Sequence, residues 1–91
     1  MFVLISYDIT DDKVRFRLAR TLKDFGKRVQ RSVFEAEITE AELTKLHQKL
    51  AQVRLDSDDS IRLYRLCDGC VKGVKIWGSG EVTKDPDIIV L

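Results

Sequence analysis

The first carboxylate in the chain is Asp8, which directly follows the apolar run Phe2 to Tyr7. At such a position an aspartate is most often a helix cap or a solvated residue, so by itself it is a weak sign of a metal site. One or two carboxylates with water and substrate phosphate are, however, the ligands that Mg²⁺ needs. Two copies of Asp8 meeting at a two-fold axis would therefore form a shared magnesium site, where the metal could polarise a phosphodiester and help to form a hydroxide nucleophile.

A cluster of basic residues follows this carboxylate. Half of the 16 lysines and arginines fall between residues 13 and 31, and Asp24 is the only acidic residue among them. Four glutamates then lie between Glu35 and Glu42, so we expect a polarised molecule although the net charge is only +1. A patch of this kind attracts phosphate backbones, and the alternative is an ordinary solvated helix face. The basic residues are Lys13, Arg15, Arg17, Arg20, Lys23, Lys27, Arg28 and Arg31.

Two other candidates for chemistry are the single histidine and the pair of cysteines. His47 lies in a helical pattern beside leucines, which favours packing or surface exposure over catalysis. Cys67 and Cys70 form a C-x-x-C motif, but the motif spans a predicted hairpin turn and has no second pair of ligands for zinc. We therefore predict two ordinary reduced cysteines.

The elements that must position these residues follow from apolar spacing. A strand over 2–7 precedes an amphipathic helix that starts near Thr10 or Asp11 and stops at Gly26. Residues 28–38 form a short strand that bends into a longer one, and a capping box of Thr39 and Glu42 starts a second helix. Three further strands are predicted. They cover residues 61–67, their hairpin partner 71–77, and the apolar segment 86–91.

This order predicts an α+β domain over 1–91 with the ferredoxin-like βαββαβ arrangement and an extra C-terminal strand. Two helices cover one face of such a sheet, and the first strand is apolar on both faces, so the other face needs a cover. A second copy is the simplest cover, which predicts a homodimer formed through the sheet with strand 86–91 docked on the partner subunit. The run Met1 to Ile5 lacks the basic segment of a secretory signal, and no apolar stretch could span a bilayer, so we expect a cytoplasmic protein without a membrane.

The segments VLISYDITDD, RVQRSVFEAEIT and IRLYRL together resemble the small CRISPR-associated protein 2 family over almost the whole chain. The strand ending in Tyr-Asp and the later Val-Gln-x-Ser-Val-Phe-Glu are the most specific pieces. The resemblance implies a ferredoxin-like homodimer that partners the CRISPR integrase while foreign DNA is inserted as a new spacer. It also implies a metal-dependent endoribonuclease or DNase, with Mg²⁺ as cofactor and RNA or double-stranded DNA as nucleic-acid partner.

The resemblance also assigns roles to residues. It places the metal-binding carboxylate on Asp8, with Tyr7 beside it in the catalytic site. The predicted nucleic-acid-binding residues are Arg15, Arg17, Arg28, Arg31, Ser32 and Phe34. Three functions stay open at this point: a magnesium-dependent nuclease, a non-catalytic architectural adaptor that holds DNA, and an unrelated ferredoxin-like regulatory dimer.

Overall fold

The sheet is built around the first strand of the chain. The computed structural model describes residues 1–84, and within them the elements are β1 (Phe2–Asp8), α1 (Asp12–Lys23), β2 (Lys27–Gln30), β3 (Val33–Glu37), α2 (Glu40–Ala51), β4 (Ser60–Leu66) and α3 (Asp68–Lys72). The strands form one sheet in the order β2-β3-β1-β4, and every neighbouring pair is antiparallel. This confirms the α+β, ferredoxin-like fold and the bend that separates β2 from β3.

Local capping residues fix where the two long helices begin. Asp11 is the N-cap of α1, and its carboxylate accepts hydrogen bonds from the backbone N–H groups of Lys13 and Val14. Thr39 and Glu42 form the predicted capping box of α2, in which each side chain accepts a bond from the backbone N–H of the other residue. Both helix starts were therefore predictable from short sequence signals.

The core lies between the sheet and the two long helices. Side chains alternate across a strand, and Val3, Ile5 and Tyr7 of β1 all belong to the main cluster of buried residues. Leu18 and Leu22 of α1 and Leu43 and Leu46 of α2 pack in the same cluster. The apolar stripes predicted for both helices are thus the faces that cover the sheet.

The opposite face of the sheet carries Phe2, Leu4 and Ser6 of β1, of which Phe2 is buried and the other two are half-buried. The chain returns to this face near residue 83, where the backbone N–H and the hydroxyl of Thr83 both donate to the Glu35 carboxylate. The predicted C-terminal strand 86–91 lies outside the described residues.

The predicted hairpin after β4 is wrong. Residues 68–72 form the short helix α3, and no strand follows it as far as residue 84. The backbone N–H of Val71 donates to the carbonyl of Cys67 at 2.9 Å, and the N–H of Cys70 donates to the Cys67 sulfur. The segment thus satisfies its own polar groups as a helical turn, which removes the need for a partner strand.

The aromatic side chains divide into a buried and an exposed group. Phe34, like Phe2 and Tyr7, is buried in the core, whereas Tyr64 is 45% exposed and Trp77 is 86% exposed. His47 is exposed on α2, as its pattern allowed. Over residues 1–84, none of the helices combines the length and the apolar character that crossing a membrane requires.

Candidate nucleic-acid interface

A pocket of about 540 Å³ opens at the end of β1 where Asp8 lies. It gathers six of the eight predicted site residues and adds two neighbours that the sequence did not single out for it. The lining residues are Tyr7, Asp8, Ile9, Arg15, Phe16, Arg28, Arg31 and Ser32. Three arginines and one carboxylate face the same space, so the pocket carries a net positive charge.

Sheet pairing brings the two halves of this pocket together. The backbone N–H of Tyr7 donates to the carbonyl of Ser32 at 3.1 Å, which holds the β2–β3 bend against the end of β1. The register of β2 against β3 is irregular between Arg28 and Gln30, so the bend departs from a regular hairpin. Residues more than twenty positions apart therefore meet at one site.

Arg28 is positioned by two aromatic side chains. Its guanidinium carbon lies 5.5 Å from the centroid of the Phe34 ring, and its Nη2 donates to the Tyr7 hydroxyl at 3.4 Å. The rings of Tyr7 and Phe34 are stacked with centroids 6.4 Å apart. A cation over an aromatic face is attracted by the negative ring face. The stack thus holds the charged end of Arg28 at the pocket while Phe34 stays buried.

Arg15 is engaged with the protein itself. Its Nη1 donates to the carbonyls of Ile9 and Thr10 at 2.9 and 3.3 Å, and its Nη2 pairs with the Asp12 carboxylate. These bonds tie α1 to the loop that follows β1. Arg15 therefore lines the pocket and also maintains its shape.

Two predicted nucleic-acid residues lie outside the pocket. Arg17 is exposed on α1 and lines a separate groove of about 290 Å³, together with Lys49 and Arg54. Phe34 is 0% exposed, so its side chain cannot touch nucleic acid directly. The prediction for Phe34 is corrected to an indirect role, the support of Arg28 and Tyr7 from below.

Asp8 is exposed and, among residues 1–84, is the only carboxylate that lines the pocket. Because side chains alternate along β1, Asp8 belongs to the sheet face of Leu4 and Ser6, which α1 and α2 leave uncovered. Residues 1–84 contain no group of three histidine, cysteine or acidic side chains that could hold a metal ion. The donor set of one chain is thus a single hard oxygen ligand open to water. It fits Mg²⁺, which keeps several waters, only as a contribution to a shared site.

Sequence reasoning missed the role of Asp59. Its carboxylate accepts hydrogen bonds from the backbone N–H of Asp56 and from the N–H and hydroxyl of Thr10. These backbone bonds, that of Asp56 first, lower the pKa of Asp59 below its ordinary value of 3.8. Asp59 thereby fastens the loop before β4 to the loop that carries the pocket, a contact between residues 49 positions apart for which the sequence holds no signal.

Phe16 is the second residue that sequence reasoning did not connect with the site. It is 71% exposed and lines the pocket beside the arginines. It lies away from the apolar stripe of α1, which accounts for the exposure of its ring. Only the tertiary structure places it at the pocket.

Comparison with known sequences gives a consistent result. The family model described as CRISPR associated protein Cas2 matches residues 1–74. A Chloroflexus aurantiacus protein called CRISPR-associated endoribonuclease Cas2 1 is 41% identical over 93 residues, covering 98% of this chain and 100% of that protein. The CRISPR-associated endoribonuclease Cas2 of Mycobacterium tuberculosis is 38% identical over 89 residues, covering 98% of this chain and 76% of that protein.

Solved structures agree with the sequence comparison. Streptococcus pyogenes Cas2 superposes with a TM-score of 0.73 at 35% identity, covering 86% of this chain and 100% of that chain. A chain of a partial Cas6-RT-Cas1–Cas2 complex matches with a TM-score of 0.65 at 32% identity, covering 82% of this chain and 88% of that chain. The family model spans most of the chain, and the Chloroflexus and Mycobacterium relatives exceed 30% identity over 98% of it. The chain therefore belongs to the CRISPR-associated protein Cas2 family.

Proposed function

We propose that this chain acts in CRISPR spacer acquisition as a homodimer that partners the CRISPR integrase, and that its pocket cleaves nucleic acid with the help of a divalent metal. The observation that carries the catalytic part is the pocket, in which Asp8 lies among Arg15, Arg28 and Arg31. The names of the relatives support nuclease activity, and the match to a chain of a Cas1–Cas2 complex supports the partnership.

The arginines give the pocket its affinity for a phosphate backbone. Arg28 is held by Phe34 and Tyr7, so little side-chain freedom is lost when it meets a phosphate. Arg31 is exposed at the bend and lines the same pocket. Phe16 adds an exposed ring on which a nucleobase can stack. Together these groups orient a strand so that one phosphodiester lies next to Asp8.

A second copy of the chain would complete the metal site. Asp8 occupies the sheet face that the long helices leave uncovered, which is the face that a two-fold partner would cover. Two Asp8 carboxylates and water would then hold one Mg²⁺ at the dimer axis. When bound, the metal would supply charge stabilisation of the scissile phosphate and a water of lowered pKa.

The decisive variant is Asp8→Asn, which keeps the size of the side chain and removes the charge. We expect it to lose metal-dependent cleavage of single-stranded RNA, single-stranded DNA and duplex DNA by at least about 100-fold on whichever substrate the wild type cuts. It should also lose one bound Mn²⁺ per dimer in titrations followed by electron paramagnetic resonance. Dimer mass is measured in parallel by light scattering.

The matched control is Asp58→Asn, which removes an exposed carboxylate from the loop before β4, outside the pocket. It should cleave and bind Mn²⁺ as the wild type does. Full cleavage by Asp8→Asn would eliminate the catalytic assignment, and a monomeric wild type would eliminate the shared site.

A second candidate is an architectural adaptor that holds duplex DNA without cutting it. The groove of Arg17, Lys49 and Arg54 favours it, because three basic side chains lie there away from the pocket carboxylate. In this case we expect cells that carry the Asp8→Asn variant to acquire spacers at the normal rate. The purified Arg17→Glu variant should bind duplex DNA more weakly than the wild type, and its affinity should depend less on salt. Normal affinity of Arg17→Glu for duplex DNA would contradict the adaptor role of this groove.

A further inference from the structure

The structure changes the interpretation of the C-x-x-C motif. Cys67 is the N-cap of α3 and Cys70 lies in its first turn, so the motif opens a helix. Both cysteines are exposed, and no disulfide joins them in this structure. The backbone N–H of Cys70 donates to the Cys67 sulfur at 3.4 Å, which brings the two residues together on one side of the turn.

The two thiols also differ in their surroundings. The backbone N–H of Cys70, followed by its thiol, lowers the pKa of Cys67, whereas hydrogen bonding to Cys67 raises the pKa of Cys70. Cys67 is therefore the better thiolate of the pair at neutral pH, and the thiolate is the form that attacks disulfides. Two exposed cysteines that one N–H to sulfur bond holds close together, with one thiol more acidic than the other, are the parts that a reversible dithiol requires.

A structural zinc site does not explain the pair. Over residues 1–84 no third histidine, cysteine or acidic side chain joins the two cysteines to form a metal-binding group. Packing does not explain the pair either, because neither sulfur is buried.

We propose that Cys67 and Cys70 form a reversible intrachain disulfide by exchange with low-molecular-weight disulfides. The inference does not depend on the proposed function, because neither cysteine lines the pocket at Asp8.

The exchange takes place in two balanced steps. The Cys67 thiolate attacks one sulfur of the small disulfide, so a mixed disulfide forms on Cys67 and one small thiolate leaves. The Cys70 thiol then loses its proton to solvent and attacks the Cys67 sulfur. This forms the Cys67–Cys70 bond and releases the second small thiolate, and both leaving thiolates take up protons. The protein loses two electrons and two protons, and the small disulfide is reduced to two thiols.

The disulfide would act on the end of β4. Leu66 is the last residue of β4 and pairs with Phe2 at the start of β1, and the chain beyond α3 leads to Thr83 on the opposite face of the sheet. A bond across α3 would fix the direction in which the chain leaves the sheet. The disulfide would therefore lie between the last strand of the sheet and the segment that follows α3.

The experiment uses the full chain and glutathione disulfide as the probe, with acid quenching and intact-mass measurement. The wild type should gain a glutathione adduct, lose it, and end two hydrogen atoms lighter, with a peptide map linking Cys67 to Cys70. The variant Cys70→Ser should keep the adduct on Cys67. The variant Cys67→Ser should react with glutathione disulfide at least several-fold more slowly than Cys70→Ser does. This difference between the two variants should vanish in denaturant.

Two results would overturn the proposal. In the first, the wild type retains the adduct as Cys70→Ser does, which means that the ring does not close. In the second, the two single variants react at equal rates in the folded state. Repeating the experiment in Asp8→Asn separates the two proposals, because loss of nucleic-acid cleavage in that variant leaves the disulfide chemistry unchanged.

Discussion

The guanidinium of Arg28 lies over the ring of Phe34, 5.5 Å from its centroid, and joins an exposed charge to the fully buried core. The two residues pair across β2 and β3, so their side chains point to the same side of the sheet. The core thereby sets the position of a charge at the pocket, which makes Arg28 the most constrained of the pocket arginines that stay free to meet a phosphate.

For Arg28→Lys we expect weaker binding to single-stranded oligonucleotides, because an ammonium cannot lie flat on Phe34 while it donates to Tyr7. Arg28→Ala should in addition reduce the slope of log affinity against log salt by about one. The measurement is fluorescence anisotropy across a salt series. Lys27→Ala is the control, since Lys27 carries the same charge on the same strand but does not line the pocket. An equal loss in both variants would show that only the total charge matters.

Arg15 and Arg17 should differ in their contribution to the stability of the fold. Arg15→Ala loses the bonds to Ile9 and Thr10, and we expect the free energy of unfolding to fall by about 1 kcal/mol because these bonds are partly exposed. Arg17→Ala should leave stability within about 0.5 kcal/mol, because Arg17 is exposed and forms no ion pair within residues 1–84. Urea unfolding measures both variants. If Arg15→Ala were as stable as the wild type, the bonds of Arg15 to the loop after β1 would not stabilise the fold.

The carboxylate of Asp59 should make stability depend on pH. Its pKa is lower in the folded state than in the unfolded chain, so its stabilising contribution is present above the ordinary value of 3.8 and is lost as the pH falls through the folded pKa. Asp59→Asn should therefore be less stable than the wild type at neutral pH, and the difference should shrink below pH 3.8. Urea unfolding at a series of pH values tests this. A difference that is constant with pH would exclude the charge as the cause.

Gly26 lies where the chain between α1 and β2 touches β3. A Cβ added there would clash with the Glu35 carbonyl oxygen and lie 2.6 Å from the Ala36 Cβ, and both neighbours belong to a strand. We expect Gly26→Ala to destabilise the fold by about 1–3 kcal/mol. Gly73→Ala is the matched control, because its nearest neighbour would be a carbonyl oxygen at an ordinary 3.4 Å. Calorimetric melting compares the two, and equal melting temperatures would contradict the steric argument.

Phe16 should contribute to binding and not to folding. Phe16→Ala is expected to weaken single-strand binding by about 1–3 kcal/mol at unchanged stability, because the ring is exposed and free to stack on a base. Phe16→Trp in a Trp77→Phe background should restore binding and show fluorescence quenching when an oligonucleotide is added. Restoration by Phe16→Leu as well would indicate an apolar contact in place of stacking.

Local signals were sufficient for much of this fold. Asp11 and the pair of Thr39 and Glu42 mark the helix starts because capping needs only residues within one turn. The hairpin predicted after β4 was wrong because its signal was equally local. An Asp-Gly pair occurs both in turns and at helix starts, and here Cys67 caps a helix. The sequence pattern did not separate these two outcomes, because the same Asp-Gly pair is compatible with both.

The sequence by itself determined the βαββαβ order, the charge cluster and the strand end at Asp8, because each depends on residues close together in the chain. The tertiary structure alone decided which of these residues share a pocket. In the fold, Arg28, Arg31 and Ser32 lie at the same pocket as Asp8. Arg17 lines a different groove, and Phe34 is buried beneath Arg28. The physical reason is that strand register and helix packing fix such distances, and both are set by contacts between residues far apart in sequence.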